Sequence, residues 1–371
     1  MLRCNIILYM KEKYFNILKT LNNNGYEAYI VGGFVRDKLL GINTSDIDIC
    51  TSATPKEVLS IFKTNVKVIE EYGAVKLTLD DNTVDITTFR TEEDYKNNKP
   101  TKVNYTKSLK EDLLRRDFTI NTICLDKESN IIDLLNAKKD LENRILKVVG
   151  NTEQKLKDDA TRMLRSLRFM TVYNFTLDKP LYDYILNNKE KLKTISYSKR
   201  KEELEKLFKH EQIKPFFDFI KEHNIEKYLG IKSNNFVETG TIIGVWAQLE
   251  VDEEYQFTKN EREEIEKVKE VIHNKNISKE TIYHYGLYLS IIAGEILGID
   301  KAIINETYNN LPIKSIKDIK ITYLEIEEIT NATPKTINNI LKNLETEILN
   351  GKIENNHEKL IEKVKEYLWK N

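Results

Sequence analysis

The chain has 371 residues, 40% of them hydrophobic, and 58 basic against 59 acidic side chains give a formal net charge of −1. That length points to two or three domains, and the near-neutral balance excludes bulk charge as a source of nucleic-acid affinity, so any RNA contact must come from local basic patches. No stretch approaches about 18 uninterrupted apolar residues, which excludes a helical membrane span, and Cys4, Cys50 and Cys124 lack paired spacing and read as buried thiols of a reducing, cytoplasmic setting.

The opening run Met1 to Met10 is apolar in part but has no small-residue cleavage site, so it reads as strand or helix rather than a signal peptide. Tyr14, Ile17, Leu18 and Leu21 recur at helical spacing up to Gly25. Tyr29 to Val31 predicts a short buried strand, and Gly32-Gly33 follows, where a backbone can approach a ligand or take positive φ. Phe34 to Leu40 predicts a helix that stops at Gly41. Asp46 to Cys50 predicts a strand, with Asp46 and Asp48 on one face and Ile47 and Ile49 in the core. Adjacent carboxylates repel unless a cation lies between them. A hard ion such as Mg²⁺ fits, and two can clamp an in-line phosphoryl displacement. The plainer alternative is a pair of solvated acids on an edge strand. The Gly-Gly turn just upstream, suited to cradling phosphates, favours chemistry.

Thr54-Pro55 starts a further helix to Phe62, and strands are predicted around 66–69, 75–79 and 84–89. Asp85 is a third acid, whose bland reading is a surface position on an edge strand. Residues 91–107 are polar, contain Asn97-Asn98-Lys99-Pro100, and read as a mobile loop. Leu109 resumes a helical pattern that runs into Leu114-Arg115-Arg116-Asp117-Phe118-Thr119-Ile120-Asn121, and Gly150 reads as a domain boundary. In Asp158-Asp159-Ala160-Thr161-Arg162, Asp159 and Arg162 stand one helical turn apart, which by base rate is an ordinary surface ion pair. The remainder is helical in pattern, with breaks at Pro215, Gly230, Gly240 and Gly286, and the five histidines have no metal-ligand spacing.

Gly32-Gly33-Phe34-Val35-Arg36-Asp37 with Asp46-Ile47-Asp48, then Leu114 to Asn121, then Asp158 to Arg162, resemble three motifs of the class II tRNA nucleotidyltransferases. That family includes CCA-adding enzymes and bacterial poly(A) polymerases. The resemblance implies an α+β fold: a nucleotidyltransferase head with a mixed five-stranded sheet and helices, then an all-helical neck, body and tail. The corresponding ranges are 1–150, 151–210, 211–300 and 301–371. It also implies addition of C, C and A to the 3′ end of tRNA from CTP and ATP, with release of pyrophosphate and no nucleic-acid template.

On this resemblance Asp46 and Asp48 hold two Mg²⁺ and Asp85 assists them. Gly33 and Arg36 hold phosphates, Arg116 meets the triphosphate or sugar, Asp117 accepts from ribose hydroxyls, and Asn121 offers an amide. Asp159 and Arg162 form a protein template, the carboxylate accepting from the amino group of cytosine or adenine and the guanidinium donating to a ring acceptor. Arg165 reaches phosphate. Arg168 has drifted off that face, since each three-residue step turns back by ~60°.

The family's Glu-Asp is Asp158-Asp159 here, and Lys199 replaces the leading acid of its last motif. A poly(A) polymerase carries a basic segment after the Asp-x-Asp strand, whereas Ile69 to Lys76 is not Arg-rich. A CC-only enzyme has a shortened 91–107 loop, whereas here the loop is present, a residue short around Asn97-Asn98-Lys99-Pro100 and without the usual Asp and Arg. An A-only enzyme shares these motifs, and an inert RNA-binding relative is disfavoured by the intact acids. Lys314, Lys317 and Lys335, with Lys320 and Lys342, make the tail the expected tRNA-binding part, docked on the acceptor–T arm through phosphates.

Overall fold

Short runs of β-branched residues from the first third of the chain assemble into one mixed sheet. It is seen in a computed structural model that describes residues 2–63, 66–69, 73–79 and 82–369. Helix α1 (Leu2–Asn23) leads into β1 (Ala28–Val31), α2 (Gly33–Leu39), β2 (Asp48–Thr51) and α3 (Pro55–Phe62). Then follow β3 (Val66–Ile69), β4 (Ala74–Leu79), β5 (Asn82–Thr88), β6 (Arg90–Lys96), β7 (Lys99–Tyr105) and α4 (Leu109–Arg115). The expected five strands are there, in the order β3-β4-β5-β2-β1, and two-residue strands β8 (Cys124–Leu125) and β9 (Ile131–Ile132) extend the sheet to seven. β2 and β5 run parallel, and the other described pairs in this sheet are antiparallel. Val31, Ile49, Cys50, Val84 and Cys124 have no exposed surface. Cys50 and Cys124 are free buried thiols, as expected, while the side chain of Cys4 lies outside the described residues.

Three expectations within residues 46–107 are corrected. Residues 91–107 form a hairpin, not a loop: β6 and β7 pair antiparallel around Asn97 and Asn98, whose φ values are 53° and 62°. Two left-handed turn residues match the twist of the strands they join, so Asn-Asn was a hairpin signal hidden by polar composition. Asp46 is exposed in the coil before β2, so strand alternation does not pair it with Asp48. Asp85 lies on an interior strand, in register with Asp48 across the parallel β2/β5 pair, and not on an edge.

Past Asn121 come α5 (Ala137–Glu142), β10 (Ile145–Leu146), α6 (Thr152–Asp158), α7 (Thr161–Tyr173), β11 (Thr176–Leu177), α8 (Lys179–Asn187) and α9 (Tyr197–Phe208). Asp159 sits between α6 and α7 with extended φ/ψ of −146° and 100°, so it does not share a continuous helix with Arg162. Contacts group the chain into two units, Met1–Leu207 with Pro215–Ile231, and Phe208–Lys214 with Lys232–Asn371. This grouping is coarser than the four ranges read from the sequence.

The second unit is mainly helical and includes the short strand Leu249–Val251. Trp246 is buried among Phe208, Tyr255 and Phe257. A separate core of Ile282, Ile304, Ile326, Ile337, Leu344 and Val364 holds its C-terminal helices. Gly286 interrupts the helix Lys279–Leu297 with φ 81° and ψ 166°, a backbone state open to glycine.

Candidate active site

The turn after β1 brings a backbone against a carboxylate. Gly32 has φ 80° and ψ −141°, and a Cβ built there would lie 3.3 Å from Asp48 Oδ2 and 3.8 Å from an Arg116 nitrogen. Only glycine supplies both the positive φ and the missing atom. Asp48 opens β2 opposite Val31 on one side and Asp85 on the other. Burial pushes its carboxyl up to about 6, the charges of Asp46 and Asp85 add to this, and Arg116 opposes it. Asp85 Oδ1 is buried without a hydrogen-bond donor, and Lys76 Nζ stands 3.5 Å away.

Such a set of oxygens favours a hard cation. Among the described residues no three His, Cys, Asp or Glu side chains form a closed metal cluster. Asp46 and Asp48, whose charges act on one another, are the carboxylates that could share a hard cation such as Mg²⁺ with substrate phosphates.

Arg116 is aimed by Asp112, which is wholly buried. Asp112 accepts from Arg116 Nη2 at 3.1 Å, Arg115 Nε at 2.9 Å and the Arg90 backbone N–H at 3.3 Å. From there the contacts run into the hairpin. Glu92 pairs with Arg115 at 3.1 Å and Arg90 at 2.7 Å, and accepts from the Tyr95 hydroxyl at 2.7 Å. Arg162 Nη2 reaches that hydroxyl at 3.4 Å and its guanidinium lies over the Tyr95 ring. Asn98, at the hairpin tip, accepts from the Ala160 N–H at 2.9 Å.

Arg162 is buried, donates from Nη1 to the Lys155 carbonyl at 2.7 Å, and has Nε 3.9 Å from Asp159 Oδ2. Asp159 Oδ1 accepts from the Thr161 N–H and hydroxyl, at 2.9 and 2.5 Å, which fixes the start of α7. The predicted pair thus meets across a helix junction.

A second chain joins the remaining residues. Arg36 is buried and donates to Asp37, to Asn121 Oδ1 at 2.7 Å and to the Tyr173 hydroxyl at 2.7 Å. Asn121 donates to Asp117 at 3.0 Å, and Arg165 pairs with Asp117 at 2.7 Å. Burial alone would raise Asp117, but Arg165, Asn121 and the Phe118 N–H outweigh it and hold its carboxyl below the ordinary range. Gly33 opens α2 beside Arg36. Arg168 turns away to Glu203 on α9 at 3.0 Å. Lys314, Lys317 and Lys335 belong to the second unit and are exposed, Lys314 lying over the Tyr308 ring. Sequence reasoning missed Glu92, Tyr95, Asp112 and Lys155. The Asn97-Asn98 turn was the signal that would have put Glu92 and Tyr95 on a strand.

The chain matches the family described as Poly A polymerase head domain over residues 28–147, and tRNA nucleotidyltransferase domain 2 over 250–364. It is 33% identical over 391 residues to a CCA-adding enzyme of Ligilactobacillus salivarius (strain UCC118), covering 96% of each chain. The chain belongs to the CCA-adding enzyme family. A member from Staphylococcus haemolyticus (strain JCSC1435) is 30% identical, with 94% of this chain and 96% of that one covered. The solved structure of the Bacillus stearothermophilus CCA-adding enzyme in complex with CTP is similar with a TM-score of 0.82 at 25% identity, over 95% of this chain and 96% of that one.

The raised Asp48 carboxyl gives a test without substrate. The folded chain holds that proton to about pH 6, whereas the unfolded chain releases it near about 4. Asp48 therefore costs stability as pH rises through this window, and in full above it. Asp48→Asn should melt higher than wild type at pH 8, by on the order of 2 kcal/mol, and no higher at pH 4. Thermal melts at the two pH values check this.

Proposed function

We propose that this protein adds C, C and A in turn to the 3′ end of tRNA, using CTP and ATP, releasing pyrophosphate, and reading no nucleic-acid template. The observation that carries it is the half-buried Asp48 beside a second acid, with the Gly32 turn and Arg116 at its shoulder. Full-length similarity to CCA-adding enzymes, one solved with CTP, supports the same reaction. The match to a tRNA nucleotidyltransferase domain supports tRNA as the acceptor.

Asp46 and Asp48 would hold Mg²⁺, which when bound activates the terminal ribose hydroxyl and neutralises the departing pyrophosphate. Asp85, one strand over, adds negative charge beside them. The Gly32-Gly33 turn lets a triphosphate approach the backbone, and Arg116 meets its charge. Asp117 and Asn121 face the sugar, with Arg36 fixing the Asn121 amide from behind and Arg165 holding Asp117 ionised. Asp159 and Arg162 read the base. Cytosine and adenine offer an amino donor to the carboxylate, whereas uracil and guanine present a carbonyl there and are turned away. Arg168 supports this helix through Glu203.

We assign 1–150 as catalytic head, 151–210 as neck, 211–300 as body and 301–371 as tail, in a cytoplasmic enzyme. Against a poly(A) polymerase stands the non-basic segment Ile69 to Lys76, of which residues 70–72 lie outside the described ones.

The reaction is tested with tRNAs ending before the CCA, after CC, or complete, each with Mg²⁺ and single or mixed nucleotides, read as product length on a gel. Wild type should add CCA, A and nothing respectively, and Asp48→Asn should add nothing to any of them while still binding tRNA.

Asp159→Ala should lose discrimination against UTP by about tenfold to a hundredfold, the worth of one charge-assisted hydrogen bond. An unchanged ratio of kcat/KM for CTP over UTP would leave the pair a structural one.

The tail lysines are assigned to tRNA phosphates. Lys314→Ala, Lys317→Ala and Lys335→Ala together should raise KM for tRNA and lower its salt slope by roughly 0.7–0.9 per lost contact. KM for CTP should stay put.

A further inference from the structure

Lys155 lies near the end of α6, and its ammonium leaves its own helix. It donates to the Leu114 carbonyl at 2.8 Å and the Arg116 carbonyl at 3.3 Å. These carbonyls belong to the C-terminal end of α4, where acceptors lack intrahelical donors and positive charge is favoured. Arg116 is the C-cap there, with ψ 166°, so the chain turns at that residue and Asp117 follows at once. The direction of the Arg116–Asp117 segment is thus set at the atoms Lys155 holds.

The other end of the same residue faces the opposite way. The Lys155 carbonyl accepts from Arg162 Nη1 at 2.7 Å and from the Asp159 backbone N–H at 3.3 Å. One residue therefore grips the phosphate- and sugar-facing segment with its side chain and the base-facing pair with its main chain. A nucleotide read at both places must have them at a fixed spacing, and displacement by about 1 Å is enough to lose about a hundredfold in rate.

We propose that Lys155 is a positioning residue that sets the spacing between Asp159/Arg162 and Arg116–Asp117, and through it the fidelity of nucleotide choice. This rests on the nucleotidyl-transfer function above. Lys155 touches no substrate and acts through the two segments it joins.

The charge matters as well as the reach. Burial pulls the ammonium down to about 8, and Arg162 on α7 lowers it further. Glu92 on the hairpin, Asp117 after α4 and Asp158 on its own helix act in the other direction. At neutral pH the group is cationic and its bonds to the carbonyls are charge-assisted. As pH rises through about 8 that assistance is lost. An arginine would keep its charge throughout.

The test uses the full chain, tRNA lacking its terminal CCA, and CTP or UTP. Lys155→Gln should lower kcat for C addition about tenfold, reduce the CTP-over-UTP preference by a similar factor, and leave KM for tRNA within about twofold. Lys155→Arg should restore both. The preference is a ratio and does not depend on the folded fraction, so loss of stability alone would not move it. Unchanged preference in Lys155→Gln, or Lys155→Arg no better than Lys155→Gln, overturns the proposal. If Lys155→Gln yields no soluble protein, the pH profile decides: wild-type preference should decline from pH 7 to 9 and that of Lys155→Arg should hold, and parallel profiles overturn it. A wild type that adds neither C nor A defeats the proposed function instead.

Discussion

Asp112 has no exposed surface, and a carboxylate in that position is tolerable only if donors surround it. It has three: two neighbouring guanidiniums and the N–H that begins the hairpin. The arrangement ties the end of α4 to the start of β6 and sends Arg116 toward Gly32 and Asp48. Removing the carboxylate would leave Arg115 and Arg116 buried side by side with like charge. The site's order therefore comes from an acid that has no part in the reaction.

From Asp112 the polar contacts continue through Arg115, Glu92 and Tyr95 to Arg162, so Arg116 and Arg162 belong to one hydrogen-bonded system. Such systems in a poorly solvated interior stiffen one another, and each member depends on its neighbours being satisfied. Glu92 illustrates this. Burial acts to raise its carboxyl, yet Arg115, the Tyr95 hydroxyl and Arg90 hold it below the usual range. The hairpin that carries Glu92 and Tyr95 is polar because its side chains serve this network and solvent rather than an apolar core.

Much of the first unit was legible in the sequence. Tyr29 to Val31, the glycine turn, the capped helix after Thr54 and the strand pattern to Phe89 all rest on local signals, and local signals survived. What failed needed partners distant in the chain. The place of Asp85 in the sheet depends on β2 and β4 flanking β5, which no window around residue 85 contains. The break at Asp159 looks like uninterrupted helix in sequence, and it exists because Thr161 takes the aspartate oxygen as the start of a new turn. Roles were less legible than positions. Arg36 and Arg165 read as phosphate ligands, but Arg36 is held by Asp37 and the Tyr173 ring and Arg165 by Asp117.

The parallel pairing of β2 with β5 also constrains how the enzyme comes into being. Everything from α3 to β4 is made between the two strands, and they can align only once that whole crossover has left the ribosome and folded back. Contacts between distant residues form late because closing the intervening chain costs entropy first. Arg116 and Arg162 emerge later still. A growing chain thus displays its acids well before it can order them, and catalytic competence arrives as a late event in synthesis rather than with the residues themselves.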